Sequence, residues 1–552
     1  MKINGSEILV KVLLEQGVDT VFGYPGGAVL NIYDALYKNS DKITHYMTAH
    51  EQGAAHAADG YARATGKTGV VIATSGPGAT NLVTGIATAY MDSVPMVAIT
   101  GNVSTDLIGA DSFQEVYITG ITMPITKHNF VVRDVNELAD TVRRAFEIAG
   151  SGRPGPVLID IPKDVTAALC EYEPCEAVVP TRTKEIKGNI EEIAELINRS
   201  ERPFIYFGGG VRLSGAGDEL RELIEKADIP AAYTLMAAGV LGYGEKHNLG
   251  LIGMHGFYTA NVAAHRADVM LAIGTRFSDR VALNTKKFGA NARIVHIDID
   301  PSEISKNVTA DYSIVGDVKE VLTELLKYVK PAKHEAWEKQ IELWRGDDYK
   351  PTDCDDCLKP HYLVEKACEI AGEDAVYVTD VGQHQMWAAQ FLHHTKPNHF
   401  LTSGGLGTMG YGYGAAIGAK IARPDVPVVH FTGDGSFHMN MNELCTAVSY
   451  NVPVITVIFN NSVLGMVRQW QGAFYGRRFS SSEPERVTDY VKVAEGFGGR
   501  GFHCETPAEF EAAMKEAMTM NGPVWIECVV DREEKVLPMI PGGKTVSDTI
   551  FN

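Results

Sequence analysis

With 552 residues the chain is too long for one core, and at roughly 150 residues per domain it divides into about three domains. Apolar residues make up 45% and charged residues 22%, an ordinary soluble globular composition. The balance of 69 acidic against 50 basic residues gives a formal charge of −19 without a basic cluster, which argues against nucleic acid or an anionic membrane as partner.

The opening stretch, residues 1–23, reads as an amphipathic helix interrupted by Glu7, Lys11 and Glu15; it is neither a secretory h-region nor a membrane span. Strand-like apolar runs then alternate with helical stretches: GVVIAT from 69, PMVAIT from 95, PVLIDI from 156, PFIYF from 203, VMLAIG from 269, RIVHIDI from 293, AVYVTD from 375, PVVHFT from 427, VITVIF from 454 and PVWIECVV from 523. That alternation predicts an α/β protein built of doubly wound parallel sheets. Polar breaks at 170–189 and 330–360 set expected domains at 1–170, 188–332 and 360–532, followed by a Pro/Gly tail at 533–552. The first and third domains share a strand-helix rhythm compatible with duplication.

Two near-motifs are rejected. Gly60 to Thr68 (GYARATGKT) has one residue too many between its glycines for a phosphate-binding P-loop, and it ends a helix where a P-loop should begin one. Gly405-x-Gly407-x-x-Gly410 lacks the acidic residue that a dinucleotide fingerprint places about 20 positions on. The eight cysteines are scattered, so a reducing cytoplasm and free thiols are expected, and the CxxC of Cys354 and Cys357 has no partner at zinc spacing.

The most informative string is GDGSFHMN, beginning at Gly433, with Asn460-Asn461 downstream. Each follows an apolar run, and a βαβ unit places such strand ends side by side, so Asp434 and Asn461 should converge where open sheets bind ligands. Taken alone, GDG is equally a tight strand-to-helix turn. Hard oxygen donors without thiol or imidazole suit Mg2+ beside a diphosphate. In the first domain Glu51 opens an Ala- and Gly-rich helix, HEQGAAHAADGYARATG. By itself it reads as an acid complementing a helix dipole; desolvated against a ligand, it would suit acid–base work.

These strings, with GYPGGAVLNIYDAL near the start and SGPGATNLVTGIATAYMDSVPMVAITG after the helix, resemble the thiamine diphosphate-dependent acetolactate synthase family. The resemblance implies that Asp434, Asn461 and the carbonyl of Val463 hold the metal. Glu51 activates the cofactor and Gly27 lies over the reacting centre. Gln383, His384, Gly407, Met409, Gly433, Gly435, Ser436, Gly465 and Met466 surround thiamine diphosphate. Phe113, Gln114 and Lys127 stand at the entrance, with Lys127 facing a 2-oxo acid carboxylate. Met466 and Trp470 border the acceptor pocket, where a large rigid wall gains contact with an extra methylene. Trp470 reads equally as an aromatic packed on the carboxy-terminal tail.

The middle domain is similar to a Rossmann-like FAD-binding domain. There Gly208, Gly209, Met254, His255, Gly274, Thr275, Arg276, Asp298, Ile299, Glu303 and Asp317, with Arg153 from the first domain, are the implied flavin residues. The implied reaction decarboxylates pyruvate and ligates the hydroxyethyl unit to a second pyruvate or to 2-oxobutanoate, the first common step of branched-chain amino acid biosynthesis. A homodimer or homotetramer and a regulatory small subunit are implied partners. A flavin-linked pyruvate oxidase and a non-catalytic homologue are the competing readings.

Overall fold

The structure is a computed structural model that describes residues 1–180, 183–393 and 396–552. The expected break at 170–189 therefore lies partly outside the described residues, at 181 and 182. The chain gathers into two compact units. One comprises Met1–Thr181, Ala375–Gly382 and Leu401–Val529; the other comprises Arg182–Asp374, Gln383–Phe400 and Val530–Asn552.

The first unit holds two six-stranded sheets. In space, one runs Thr44–Met47, Thr20–Tyr24, Gly69–Ala73, Met96–Asn102, Pro156–Pro162, His128–Val131. The other runs Phe400–Leu401, Val376–Thr379, Val428–Gly433, Val454–Asn460, Val524–Val529, Arg500–Cys504. Counted along the chain within each sheet, both orders are 2-1-3-4-6-5, and the central strands pair in parallel. Strand order reverses between first and third strands, and that switch point is where open α/β sheets bind ligands. Helices Glu51–Thr65 and Gly412–Ala422 cross between the sheets almost backbone to backbone. A Cβ added at Gly60 would lie 2.1 Å from the carbonyl oxygen of Ala415, and one at Gly418 would lie 1.9 Å from that of Ala57.

The second unit holds one parallel sheet, ordered Asn248–Leu251, Ala231–Tyr233, Pro203–Phe207, Val269–Ile273, Arg293–Asp298, Tyr312–Val315. Along the chain this is 3-2-1-4-5-6, the order of dinucleotide-binding folds.

All ten expected strands are present, and three expectations are corrected. Residues 1–23 are not one helix. A strand at Lys2–Asn4 pairs antiparallel with Leu169–Glu171, the helix spans Gly5–Glu15, and Thr20–Tyr24 enters the sheet because Val21 and Phe22 are buried there. The charged stretch 330–360 contains the helix Glu335–Arg345, which buries Trp337 and Ile341 in the second unit's core. The eight cysteines are not all free, since Cys354 and Cys357 form a disulfide and six remain as thiols. The expected tail also packs: Val536, Met539 and Ile540 are buried, and the Ile540 amide donates to the Met254 carbonyl at 2.8 Å. Among the described residues no helix is long and apolar enough to cross a membrane.

Candidate active site

Strands Val428–Gly433 and Val454–Asn460 pair with Gly433 opposite Phe459, so the residues that follow them emerge side by side. The carboxylate of Asp434 is buried beside the backbone amides of Gly435 and Asn461. Burial pushes Asp434 up to about 6, and the Gly435 amide, the Arg486 charge and the Asn461 amide oppose the shift. The Asn461 side-chain oxygen accepts from the Val463 amide at 3.2 Å, which folds two of the three expected metal residues into one turn. A Cβ at Gly435 would come 2.6 Å from a Leu464 methyl, so the two loops meet closely at that glycine. The Ser436 hydroxyl accepts from the Gly410 amide at 3.1 Å, joining this turn to the loop of Gly407 and half-buried Met409. Asp380, at the end of the first strand, is fixed by the Gly412 amide at 2.9 Å and the Thr432 hydroxyl at 2.8 Å.

Glu51 lies at the first turn of its helix, buried, and its carboxylate accepts from the Asn81 amide group at 2.9 Å. Gly27 begins the short turn after the first strand, where the Ala28 amide donates to the Thr74 hydroxyl across the switch point. A buried ion cluster ties this half of the unit to the other. Arg63 reaches Asp59 at 2.6 Å, Asp92 at 2.9 Å and the Thr402 carbonyl at 3.0 Å. Asp92 in turn accepts from the amides of Gly404 and Gly405, and Tyr411 donates to Asp59.

The entrance residues separate. Phe113 is 88% exposed, and Gln114 sits in left-handed backbone with its Cα and Cβ against Gly76. Lys127 donates to the carbonyls of Ile148 and Ser151, so its ammonium closes the end of the helix Leu138–Gly150. Gly465, Met466 and Trp470 share the helix Gly465–Phe474, with the Trp470 ring 5.2 Å from that of Phe474.

In the second unit, the strands ending at Phe207 and Ile273 are neighbours at the switch point. Glycines let their exits touch: a Cβ on Gly208 would lie 2.5 Å from the Gly274 carbonyl oxygen, and Gly274 itself has φ +57. Thr275 is buried and Arg276 half-buried beside them, while Gly209 opens the helix that follows. Buried His255, whose Nδ1 has no hydrogen-bond partner, is pushed down to about 4 by desolvation. Asp317 caps the helix Val318–Leu325, Glu303 meets Lys306 at 3.1 Å, and Asp298 accepts from the Asp300 amide, with Ile299 half-buried between. Gln383 and His384 belong to this unit, where Gln383 donates to the Glu534 carbonyl at 2.9 Å. Arg153 belongs to the first unit and donates to Ser93 at 2.8 Å.

Asn81, Arg63, Asp92 and Asp380 escaped the sequence reading because their partners lie far off in the chain.

Three family descriptions match in order: Thiamine pyrophosphate enzyme, N-terminal TPP binding domain, over residues 3–121; its central domain over 190–325; and its C-terminal TPP binding domain over 380–528. With three parallel-sheet domains, they define a thiamine diphosphate-dependent enzyme. The chain is 46% identical over 567 residues to an acetolactate synthase of Mycobacterium bovis, spanning 100% of this chain and 91% of that protein. It is 45% identical over 566 residues to the acetolactate synthase large subunit of Porphyra purpurea, spanning 99% and 95%. Against the acetolactate synthase isozyme 3 large subunit of Escherichia coli it is 44% identical over 560 residues, spanning 98% and 97%. The chain belongs to the acetolactate synthase family.

Proposed function

We propose that this chain decarboxylates pyruvate and joins the hydroxyethyl unit to a second pyruvate, giving 2-acetolactate, or to 2-oxobutanoate, giving 2-aceto-2-hydroxybutanoate. The observation that carries the reading is the meeting of Asp434 with the Asn461 turn at one strand-end pair, in a chain that aligns throughout with acetolactate synthases. Thiamine diphosphate, when bound, supplies the electron sink for decarboxylation. Asp434, Asn461 and the Val463 carbonyl form an all-oxygen donor set that fits Mg2+ and through it a diphosphate. Glu51 moves a proton between its carboxyl group and the cofactor's aminopyrimidine, and Asn81 orients that carboxyl. Gly27, Gly407 and Met409 shape the space over the cofactor, and Gly433, Gly435, Ser436, Gly465 and Met466 bound its diphosphate end. Phe113 and Gln114 guard the entrance; we assign Lys127 to the helix end it closes. Trp470 walls the acceptor side.

The dinucleotide-type sheet and the touching glycine exits of the second unit support FAD, with Arg276 available to its pyrophosphate. The domain bounds 1–170, 188–332 and 360–532 then correspond to pyrimidine-, flavin- and diphosphate-binding parts. Relatives named large subunits support a small regulatory companion, and a dimer or tetramer would pair Glu51 of one subunit with the metal turn of another. The proposed compartment is the cytoplasm. Purified protein is assayed on pyruvate with and without 2-oxobutanoate, omitting thiamine diphosphate, Mg2+ and FAD in turn, with an oxygen electrode. The expected result is stoichiometric acetolactate without oxygen uptake. Oxygen uptake without acetolactate would replace the reading with a flavin-linked oxidase, and no turnover at all would leave a non-catalytic homologue.

A further inference from the structure

Downstream of Asp434, a second acid reaches the other half of the unit. Glu443 is completely buried in the turn Met441–Glu443 that leads into the helix Leu444–Ser449. One carboxylate oxygen accepts from the Ala49 amide at 3.0 Å and the Thr446 hydroxyl at 2.6 Å, and the other accepts from the His50 amide at 3.0 Å. Ala49 and His50 are the two residues immediately before Glu51. Gly53 makes room for the clamp, since a Cβ there would lie 2.0 Å from Glu443 Oε1. The His50 ring nitrogen takes the Gln52 amide at 3.1 Å, so the peptide on both sides of Glu51 is pinned while Asn81 holds its carboxylate. Burial pushes the Glu443 carboxyl above the usual range, and the charge of Glu51 adds to the effect.

We propose that Glu443 is a positioning residue for Glu51: its carboxylate clamps the Ala49 and His50 amides and so fixes where the helix, and with it the activating carboxylate, begins. Charge-assisted bonds to amides are the strong and directional kind, and a helix N-terminus favours the anion that makes them. The inference rests on Glu51 being the activating acid. Replacing Glu443 by Gln keeps one acceptor and turns the other into a donor facing an amide, which loosens the start of the helix without emptying the site.

Full-length protein serves for two measurements. Without cofactor, hydrogen exchange of peptides spanning residues 45–55 reads the clamp directly. With thiamine diphosphate and Mg2+ bound, acid-quench NMR reads exchange of the thiazolium C2 proton, which reports activation before any substrate chemistry. For Glu443→Gln the amides should exchange faster and the C2 proton on the order of 10- to 100-fold more slowly, as a shift of about 1 Å in a catalytic group produces. The KM for pyruvate should stay within about threefold, because ground-state binding is untouched. Gly53→Ala, which keeps the charge but crowds the clamp, should slow C2 exchange in the same direction and serves if Glu443→Gln does not fold. Wild-type C2 exchange in these variants, while Glu51→Gln is slow, overturns the clamp. Wild-type exchange in Glu51→Gln itself overturns the Glu51 assignment instead.

Discussion

The two sheets of the first unit share the order 2-1-3-4-6-5, and at one fixed spacing, without a gap, their residues pair off. Thr74 falls on Thr432, Ser93 on Asn451, Pro95 on Pro453 and Asn102 on Asn460. Ser93 and Asn451 even share left-handed backbone, at φ 59 and φ 51. In the sixth strands PVLID and PVWIE place Asp160 and Glu527 alike, and each takes an amide hydrogen from its asparagine, Asn102 or Asn460. Against this sameness the chemistry differs at strand and helix ends. Asp434 falls on Gly76, Asn461 on Val103, Glu51 on Met409 and Glu443 on Gly85. One scaffold was used twice, and what each copy does is decided by a few residues at its ligand-facing edge.

Exchanging those residues should break the comparison most sharply. Glu51→Gln is expected to lower acetolactate formation by roughly 10²- to 10⁴-fold with thiamine diphosphate binding retained, as measured by steady-state rate and calorimetry. Asp434→Ala is expected to do the opposite first, raising the cofactor's dissociation constant by at least about 10-fold in a titration with limiting Mg2+.

The joint between the copies comes next. Arg63→Ala leaves Asp59 and Asp92 buried without their cation, a loss of about 3–5 kcal/mol readable in urea unfolding.

Asp160 and Glu527 sharpen the comparison through pH. Glu527 has the His503 imidazole at 2.8 Å, whereas Asp160 is bonded by the neutral Thr100 and Asn102, and burial pushes Asp160 up to about 6. Its folded value lies above its unfolded one, so its contribution is complete below about pH 4 and is lost as pH rises through about 6. Ionised Asp160 then costs about 3 kcal/mol, and Asp160→Asn should remove that fall from a plot of unfolding free energy against pH. The smallest effect expected is in selectivity. Trp470→Leu should lower the ratio of 2-aceto-2-hydroxybutanoate to 2-acetolactate about 10-fold when both acceptors compete.

The strands legible in the sequence are largely the interior ones. In the Asp434 sheet the four inner strands announce themselves as apolar runs, while Phe400–Leu401 and Arg500–Cys504 at the edges do not. A strand covered on both faces must be apolar throughout, whereas an edge strand such as Thr44–Met47, exposed at both ends, carries no such mark. Thr20–Tyr24 is interior, but a preceding amphipathic pattern masked it. For the site, Asp434 and Asn461 were legible because a single βαβ unit makes them neighbours. Glu51 was legible through the family resemblance, since alone it reads as an acid complementing a helix dipole, but Asn81, which bonds it, and Glu443, which bonds the amides before it, were not, since only the packed chain brings them there. The Lys127 expectation shows the same limit: a charge in a motif says nothing of the two carbonyls that take it up. The likeness of the two sheets was visible only as rhythm until the common strand order allowed their residues to be compared.

The first unit is assembled from three segments that the second unit's residues separate. During synthesis, at roughly 5–20 residues per second, Arg63 and Asp92 wait on the order of tens of seconds before Thr402 to Gly405 emerge to meet them. Throughout that interval the glycine- and alanine-lined face of Glu51–Thr65 has no helix against it. The nascent amino-terminal sheet is thus a half-finished surface whose natural complement is still on the ribosome, or already present on another copy of the same chain.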